Sequence, residues 1–196
     1  MIVVNNKQEL KSEIMKYKLQ GKKITIIPTM GDLHKGHFEL FHKKPKHTIS
    51  FVTIYVNPLQ FDNKDDFIHY PRLIEKDLEK CKQNEIDLVY APATNISDDI
   101  DFDENIDLSK FTRYLCGATR HNHFLGVYKI IKHLFSIIEP DFACFGKKDY
   151  QQLLLIKYIA KTYFPYLRII EVDTVRENNI AFLLQFDNQH IRNLHL

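Results

Sequence analysis

What this 196-residue sequence lacks narrows it early. It has six glycines, three cysteines and almost no charge of one sign in excess, lysine plus arginine numbering 27 against 25 aspartates plus glutamates. A surplus of two gives no electrostatic argument for nucleic acid or an anionic membrane as partner. Cys81, Cys116 and Cys144 are odd in number and without CxxC spacing, which suits a reducing compartment better than a disulfide framework and makes the cytoplasm the expected location. No window approaches the ~18 uninterrupted apolar residues of a membrane span, and the opening stretch soon turns polar, so neither insertion nor export is indicated. Repeats, low-complexity runs and Gly/Ser- or Pro-rich linkers are absent too, which leaves one continuous unit. What is present is the composition of a folded protein: 44% hydrophobic and 27% charged residues, with 14 phenylalanines and 10 tyrosines.

Apolar runs rich in β-branched residues predict buried strands at Ile24–Ile27, Ile49–Val56, Leu88–Tyr90, Phe142–Phe145 and Ile169–Val175. Between them, helical periodicity covers Gln8–Leu19, Gly36–Lys44, Pro71–Gln83, Phe124–Ile138 and Tyr150–Phe164. Strand–helix–strand alternation implies right-handed crossovers and a parallel sheet, so the fold class is α/β. In such sheets ligands bind beyond the carboxyl ends of the strands. The acidic stretch from Asp98 to Asp107 reads as a solvated loop with no assigned role.

Five of the six glycines (Gly31, Gly36, Gly117, Gly126, Gly146) fall in three segments of unusual chemistry. In Pro28-Thr29-Met30-Gly31-Asp32-Leu33-His34-Lys35-Gly36-His37, a helix N-terminus offers amides and a dipole to an anion, with two histidines three residues apart beside it. Read alone, it is either a phosphate-binding terminus or a turn with two surface histidines; no third ligand at compatible spacing supports zinc. Asn57 and Gln60, in VNPLQF, are amides able to hold a polar acid, or parts of an Asn-Pro turn. Gly146-Lys147-Lys148-Asp149-Tyr150-Gln151-Gln152 sets cations, a carboxylate and amides at a strand end, for phosphate and Mg²⁺ or simply as a charged helix start. Arg120, before the long helix, suits a carboxylate or phosphate. The string His121-Asn122-His123 is no evidence for an HNH nuclease.

Taken in order, PTMGxLHxGH, VNPxQF, YPR (Tyr70–Arg72), RxxHFxGV, FGxKDYQQL and TVRE (Thr174–Glu177) resemble the pantothenate synthetase (pantoate–β-alanine ligase) family from about residue 5 to Glu177. The resemblance implies a Rossmann-like nucleotidyltransferase domain of the HIGH-motif superfamily over residues 1–177. It implies that ATP and Mg²⁺ convert pantoate to pantoyl adenylate with release of pyrophosphate, and that β-alanine then displaces AMP. By motif, Met30, Gly31, Asp32, Leu33, His34, Lys35, Gly36 and His37 would hold ATP, with His34 and His37 at the phosphates and His37 the proton donor. Gly146, Lys147, Lys148, Asp149 and Val175 would complete the nucleotide site, Lys148 on phosphate and Asp149 near the metal. Gln60 and Gln152 would hold pantoate, Gln60 also lying near β-alanine, with Asn57 and Thr29 in the same substrate set. No nucleic-acid or membrane partner is implied; a homodimer is, because the family is commonly dimeric.

Departures from the family pattern set a second expectation beside this one. Where the family continues with a DGLAxSSRN-like stretch, the chain reads Asn178-Asn179-Ile180-Ala181-Phe182-Leu183-Leu184-Gln185-Phe186, so residues 178–196 are expected to be a divergent tail. Leucines donate no hydrogen bonds and glutamine carries no charge, which removes phosphate contacts of a kind worth ~10²–10³ in rate each. Cys116 replaces the usual glutamate, RPxHF has become Arg120–Phe124, and Pro45 interrupts the helix after the first motif. The family's C-terminal domain, expected to exclude water, is not found in the sequence. The alternative is therefore an impaired or inactive relative that retains nucleotide or pantoate binding.

Overall fold

The computed structural model describes residues 1–96, 100, 106–114 and 116–176. Six parallel strands form one sheet: β1 (Ile2–Val4), β2 (Lys23–Thr29), β3 (Thr48–Ile54), β4 (Leu88–Tyr90), β5 (Phe142–Gly146) and β6 (Arg168–Val172). Their order is β1-β4-β3-β2-β5-β6. From β2 the chain winds outward through β3 and β4, then crosses back to lay β5 on the other side of β2. The point of reversal between β2 and β5 is where an open α/β sheet places its ligand crevice.

Alternation along each strand feeds two cores. Ile26, Phe51, Leu88 and Phe145 point into the larger one, with Leu10 and Ile14 of α1 (Lys7–Leu19) and the apolar faces of two long helices. Ile27, Val52, Val89 and Cys144 point the other way, onto Phe41 of α2 (Lys35–His42) and Cys81.

Further along come a 3-10 turn at Pro58–Gln60, α3 (Lys64–His69), α4 (Ile74–Gln83), the single-turn helices α5 (Ser109–Thr112) and α6 (Cys116–Thr119), α7 (His121–Ile138), a 3-10 turn at Lys147–Asp149 and α8 (Tyr150–Tyr163).

The five expected strands and five expected helices are all present, with shifted ends. Strand β2 runs past Ile27 to Thr29, and the reason is one-sided pairing. Its ladder with β3 continues to Thr29↔Ile54, whereas its ladder with β5 covers only Thr25↔Phe142 and Ile26↔Ala143. Ile24 O accepts from Asp141 N on the β5 side, and Thr29 O accepts from Tyr55 N on the β3 side. Pro28, two pairs on from Ile24, thus faces β5, where its missing N–H ends the ladder and the sheet splays open. The helix expected from Pro71 starts at Ile74, because Arg72 turns back to donate to the carbonyls of Phe67, Ile68 and Tyr70 at the end of α3. Edge strand β1, α3 and the single-turn helices were not expected; each is too short to show a period. The expected boundary at Glu177 and the tail 178–196 lie outside the described residues. So do most of the acidic segment and the side chain of Cys116.

Candidate active site

The splayed end of β2 opens into a cleft with about 1180 Å³ of atom-free space, counting its mouth. Three of the predicted segments meet there. Thr29, Met30, His34, Gly36, His37, Asn57, Gln60, Gly146, Lys148, Asp149, Gln152 and Val175 all line it. Gly31, Asp32, Leu33, Lys35 and Lys147 do not. Leu33 is buried in the smaller core, Lys35 is exposed at the start of α2, and Lys147 turns aside to pair with Asp173 at 2.8 Å. That bond holds the Asp173 carboxyl below its ordinary range and the Lys147 ammonium above its own. Both groups are exposed, so the pair adds little to stability.

The turn from β2 into α2 is built by backbone demands. Gly31 has φ +85° and Asp32 φ +49°, left-handed values that reverse the chain. A Cβ at Gly31 would sit 2.9 Å from Asp77 Oδ2. Asp77, 1% exposed on α4, accepts the amide of Asp32 at 2.8 Å and that of Leu33 at 2.9 Å. Lys80, one turn on, donates to Leu33 O at 2.6 Å. Asp77 thus anchors the loop, a role the motifs do not reveal. Its signal in the sequence is an acid four residues before Cys81 on the buried side of α4. Beside it, Tyr70 has its hydroxyl pushed well above the ordinary range by burial, with Asp32 and Asp77 adding to the effect.

His34 caps α2 with an imidazole in place of the usual Ser, Thr, Asp or Asn. Its Nδ1 accepts from Gly36 N–H at 3.1 Å, and His37 Nδ1 accepts from His34 N–H at 3.1 Å. A neutral imidazole has one donor and one acceptor, so each ring carries its proton on Nε2. The rings lie 4.2 Å apart, centroid to centroid. The helix terminus thereby presents two N–H donors of fixed tautomer beside its own amides, an arrangement suited to phosphoryl oxygens gaining charge. Lys148, in the 3-10 turn that follows β5, has its Nζ withdrawn from solvent on the cleft wall.

The amide residues form a connected set. Asn57, 1% exposed, donates to Gln60 Oε1 at 3.1 Å and to Gly126 O at 3.1 Å, and its own Oδ1 accepts from Leu59 N. Gln60 Nε2 lies 2.8 Å from Met30 Sδ, tying the second motif to the first. His123, 4% exposed near the start of α7, lies between Gln60 O at 3.0 Å and Gln152 Oε1 at 3.2 Å. His123 stands in the RxxHFxGV motif, which attaches no role to it; its signal is the helical spacing to the buried residues Val127 and Ile130. Burial, and then Arg120, push its pKa below the ordinary histidine value. Arg120 itself is engaged with Asp62 and His123. Val127, Ile130, Ile131 and Leu134 on α7 give the wall an apolar side.

Comparison with known proteins finds one family. The family model for pantoate–β-alanine ligase matches residues 2–183. The pantothenate synthetase of Aliivibrio fischeri is 40% identical over 171 residues, 86% of this chain and 59% of that protein. That of Aliivibrio salmonicida is equally similar, with 57% of its length covered. The chain thus spans a little under three fifths of these curated relatives. Among solved structures, pantoate–β-alanine ligase from Francisella tularensis, complexed with "Beta-gamma ATP and Beta-alanine", has a TM-score of 0.87 and 31% identity, covering all of this chain and 73% of that one. Pantothenate synthetase from Thermus thermophilus has a TM-score of 0.81 and 30% identity over all of this chain and 68% of that one. With the family model matching nearly the whole chain, the chain belongs to the pantoate–β-alanine ligase family.

Proposed function

We propose that this chain joins pantoate to β-alanine at the cost of ATP. The pantoate carboxylate attacks the α-phosphorus of ATP and pyrophosphate leaves; the β-alanine amine then attacks the acyl carbon of pantoyl adenylate and AMP leaves. A free carboxylate is a poor acyl donor because its charge repels the amine, and AMP supplies the leaving group that oxide cannot. The observation that carries this reading is the convergence on one cleft of two Nε2–H donors and a buried-end lysine with two glutamines. His34, His37 and Lys148 are proposed to stabilise charge on the phosphoryl oxygens, with His37 as proton donor; Gln60 and Gln152 orient the acid. Gly31, Asp32, Leu33, Lys35 and Lys147, which do not line the cleft, serve the nucleotide in this reading only through the backbone that carries His34, His37 and Lys148.

Mg²⁺ fits the donor set. It is commonly held by one or two carboxylates together with substrate phosphates, and Asp149 offers one carboxylate on the cleft wall. Bound there, the ion would offset phosphate charge. No helix among the described residues is long and apolar enough to cross a membrane; a cytoplasmic, homodimeric enzyme is our reading on family grounds.

The test is release of AMP and pyrophosphate with ATP, Mg²⁺, pantoate and β-alanine. We expect turnover that needs both acids, and a fall of about 10²-fold or more in His37→Ala. A fully active His37→Ala removes that assignment. Binding of ATP and pantoate by calorimetry without turnover selects the non-catalytic alternative.

A further inference from the structure

His123 contacts both glutamines assigned to the acid substrate, and its ring cannot serve every neighbour as a donor. Its Nδ1 lies 3.0 Å from the backbone carbonyl of Gln60 and 3.2 Å from Arg120 Nη2, and its Nε2 lies 3.2 Å from Gln152 Oε1. A carbonyl only accepts and a guanidinium only donates, so the proton on Nδ1 can satisfy the first or be absent for the second. The carbonyl wins on two counts. It is at the shorter distance and meets a ring that is 4% exposed, so a bare Nδ1 would set lone pair against lone pair away from water. Arg120 has five N–H groups, a side chain 38% exposed, and Asp62 Oδ2 at 3.7 Å from its Nε. A doubly protonated ring would satisfy both acceptors but would place a second cation, buried, against Arg120.

We propose that His123 is a positioning residue for the substrate acid: held as its neutral Nδ1–H tautomer by Gln60 O, it accepts through Nε2 from the NH₂ of Gln152. The two ends of a glutamine amide share one outline, so the hydrogen-bond chemistry decides which end faces the ring. With the amide turned over so that NH₂ in place of Oε1 meets His123, the Gln152 oxygen faces the cleft as an acceptor. It is then matched to a hydroxyl group of the acid and opposed to a keto or carboxylate oxygen at that point. One ring thereby fixes the backbone of one substrate glutamine and the amide orientation of the other. The claim about the acid rests on the proposed function, whereas the tautomer does not.

Two measurements test it. In the full chain labelled with ¹⁵N-histidine, without substrates, the ring nitrogens of His123, assigned by their loss in His123→Gln, should show a protonated Nδ1 and an unprotonated Nε2. A proton on Nε2, alone or with Nδ1, overturns the proposal. In His123→Phe, calorimetry should show pantoate binding weaker by about tenfold, a loss of the size expected for one mis-set hydrogen bond, with ATP binding within about twofold of the unaltered chain. Pantoate and ATP weakened alike, or pantoate bound as before, overturns it as well. If the unaltered chain binds no pantoate, the functional reading fails, and the tautomer still decides whether His123 sets Gln152.

Discussion

Replacing Asp77 by asparagine would turn an NH₂ group toward one of the two loop amides, Asp32 N–H or Leu33 N–H, that the carboxylate now accepts. Two donors would then face each other where water does not reach, since Asp77 is 1% exposed. A buried group left in that state costs about 1–3 kcal/mol. We expect Asp77→Asn to melt at lower temperature and to bind ATP more weakly, because the loop it anchors carries His34 to its place at the head of α2. A variant with unchanged melting and ATP affinity would remove Asp77 from this role. The histidines themselves were legible in the sequence, since Gly36 and the spacing of His34 and His37 announce a helix start. Asp77 was not, because it lies 45 residues from Asp32 along the chain and only the packing of α4 under the β2–α2 turn joins them.

Helix α7 and the 3-10 turn at Pro58–Gln60 meet with no room to spare. A Cβ added at Gly126 would lie 2.2 Å from Leu59 O and 2.6 Å from Gln60 N, both backbone atoms that cannot swing away. Gly126 O is also the acceptor for Asn57. Gly126→Ala should therefore force the two elements apart, at a cost in the usual ~1–3 kcal/mol range for overpacking. It should weaken pantoate binding through displaced Gln60, which thermal denaturation and calorimetry together would show. Unchanged stability would mean that the contact yields more easily than its distances imply. At this scale the sequence located every long strand and helix, because buried runs and amphipathic faces carry their own periods. The apolar run ended β2 at Ile27, whereas pairing carries it on: Pro28 costs the β5 ladder its next bond while Thr29 still pairs with Ile54 on β3.

Across the whole molecule the two faces of the sheet are unequally filled. Among the described residues the larger core gathers twenty-eight buried side chains and the smaller one eight, the latter including Cys81 and Cys144. Burial pushes both thiols up to about 12 from an ordinary value of 9.0. At pH 8 they should resist iodoacetamide in the native protein, with mass spectrometry identifying each site. Above about pH 9 the unfolded chain loses thiol protons that the native chain keeps, so stability should fall as pH rises from about 9 toward 12. In rising denaturant, Cys81 and Cys144 should become reactive before helical circular dichroism from α7 and α8 is lost, because fewer apolar contacts close the thinner face. Simultaneous change would show one cooperative unit instead.

This asymmetry bears on what a nucleotide does to the protein. Helix α2 and Asp77 belong to the lightly filled side, so the half of the cleft proposed to hold ATP rests on the layer with the smaller apolar reserve. A ligand that binds only the closed layer is then a brace as well as a reactant, adding about 2.7 kcal/mol to folding at a hundredfold excess over its Kd. If ATP binds as proposed, adding it should slow proteolysis of the chain, quite apart from any turnover.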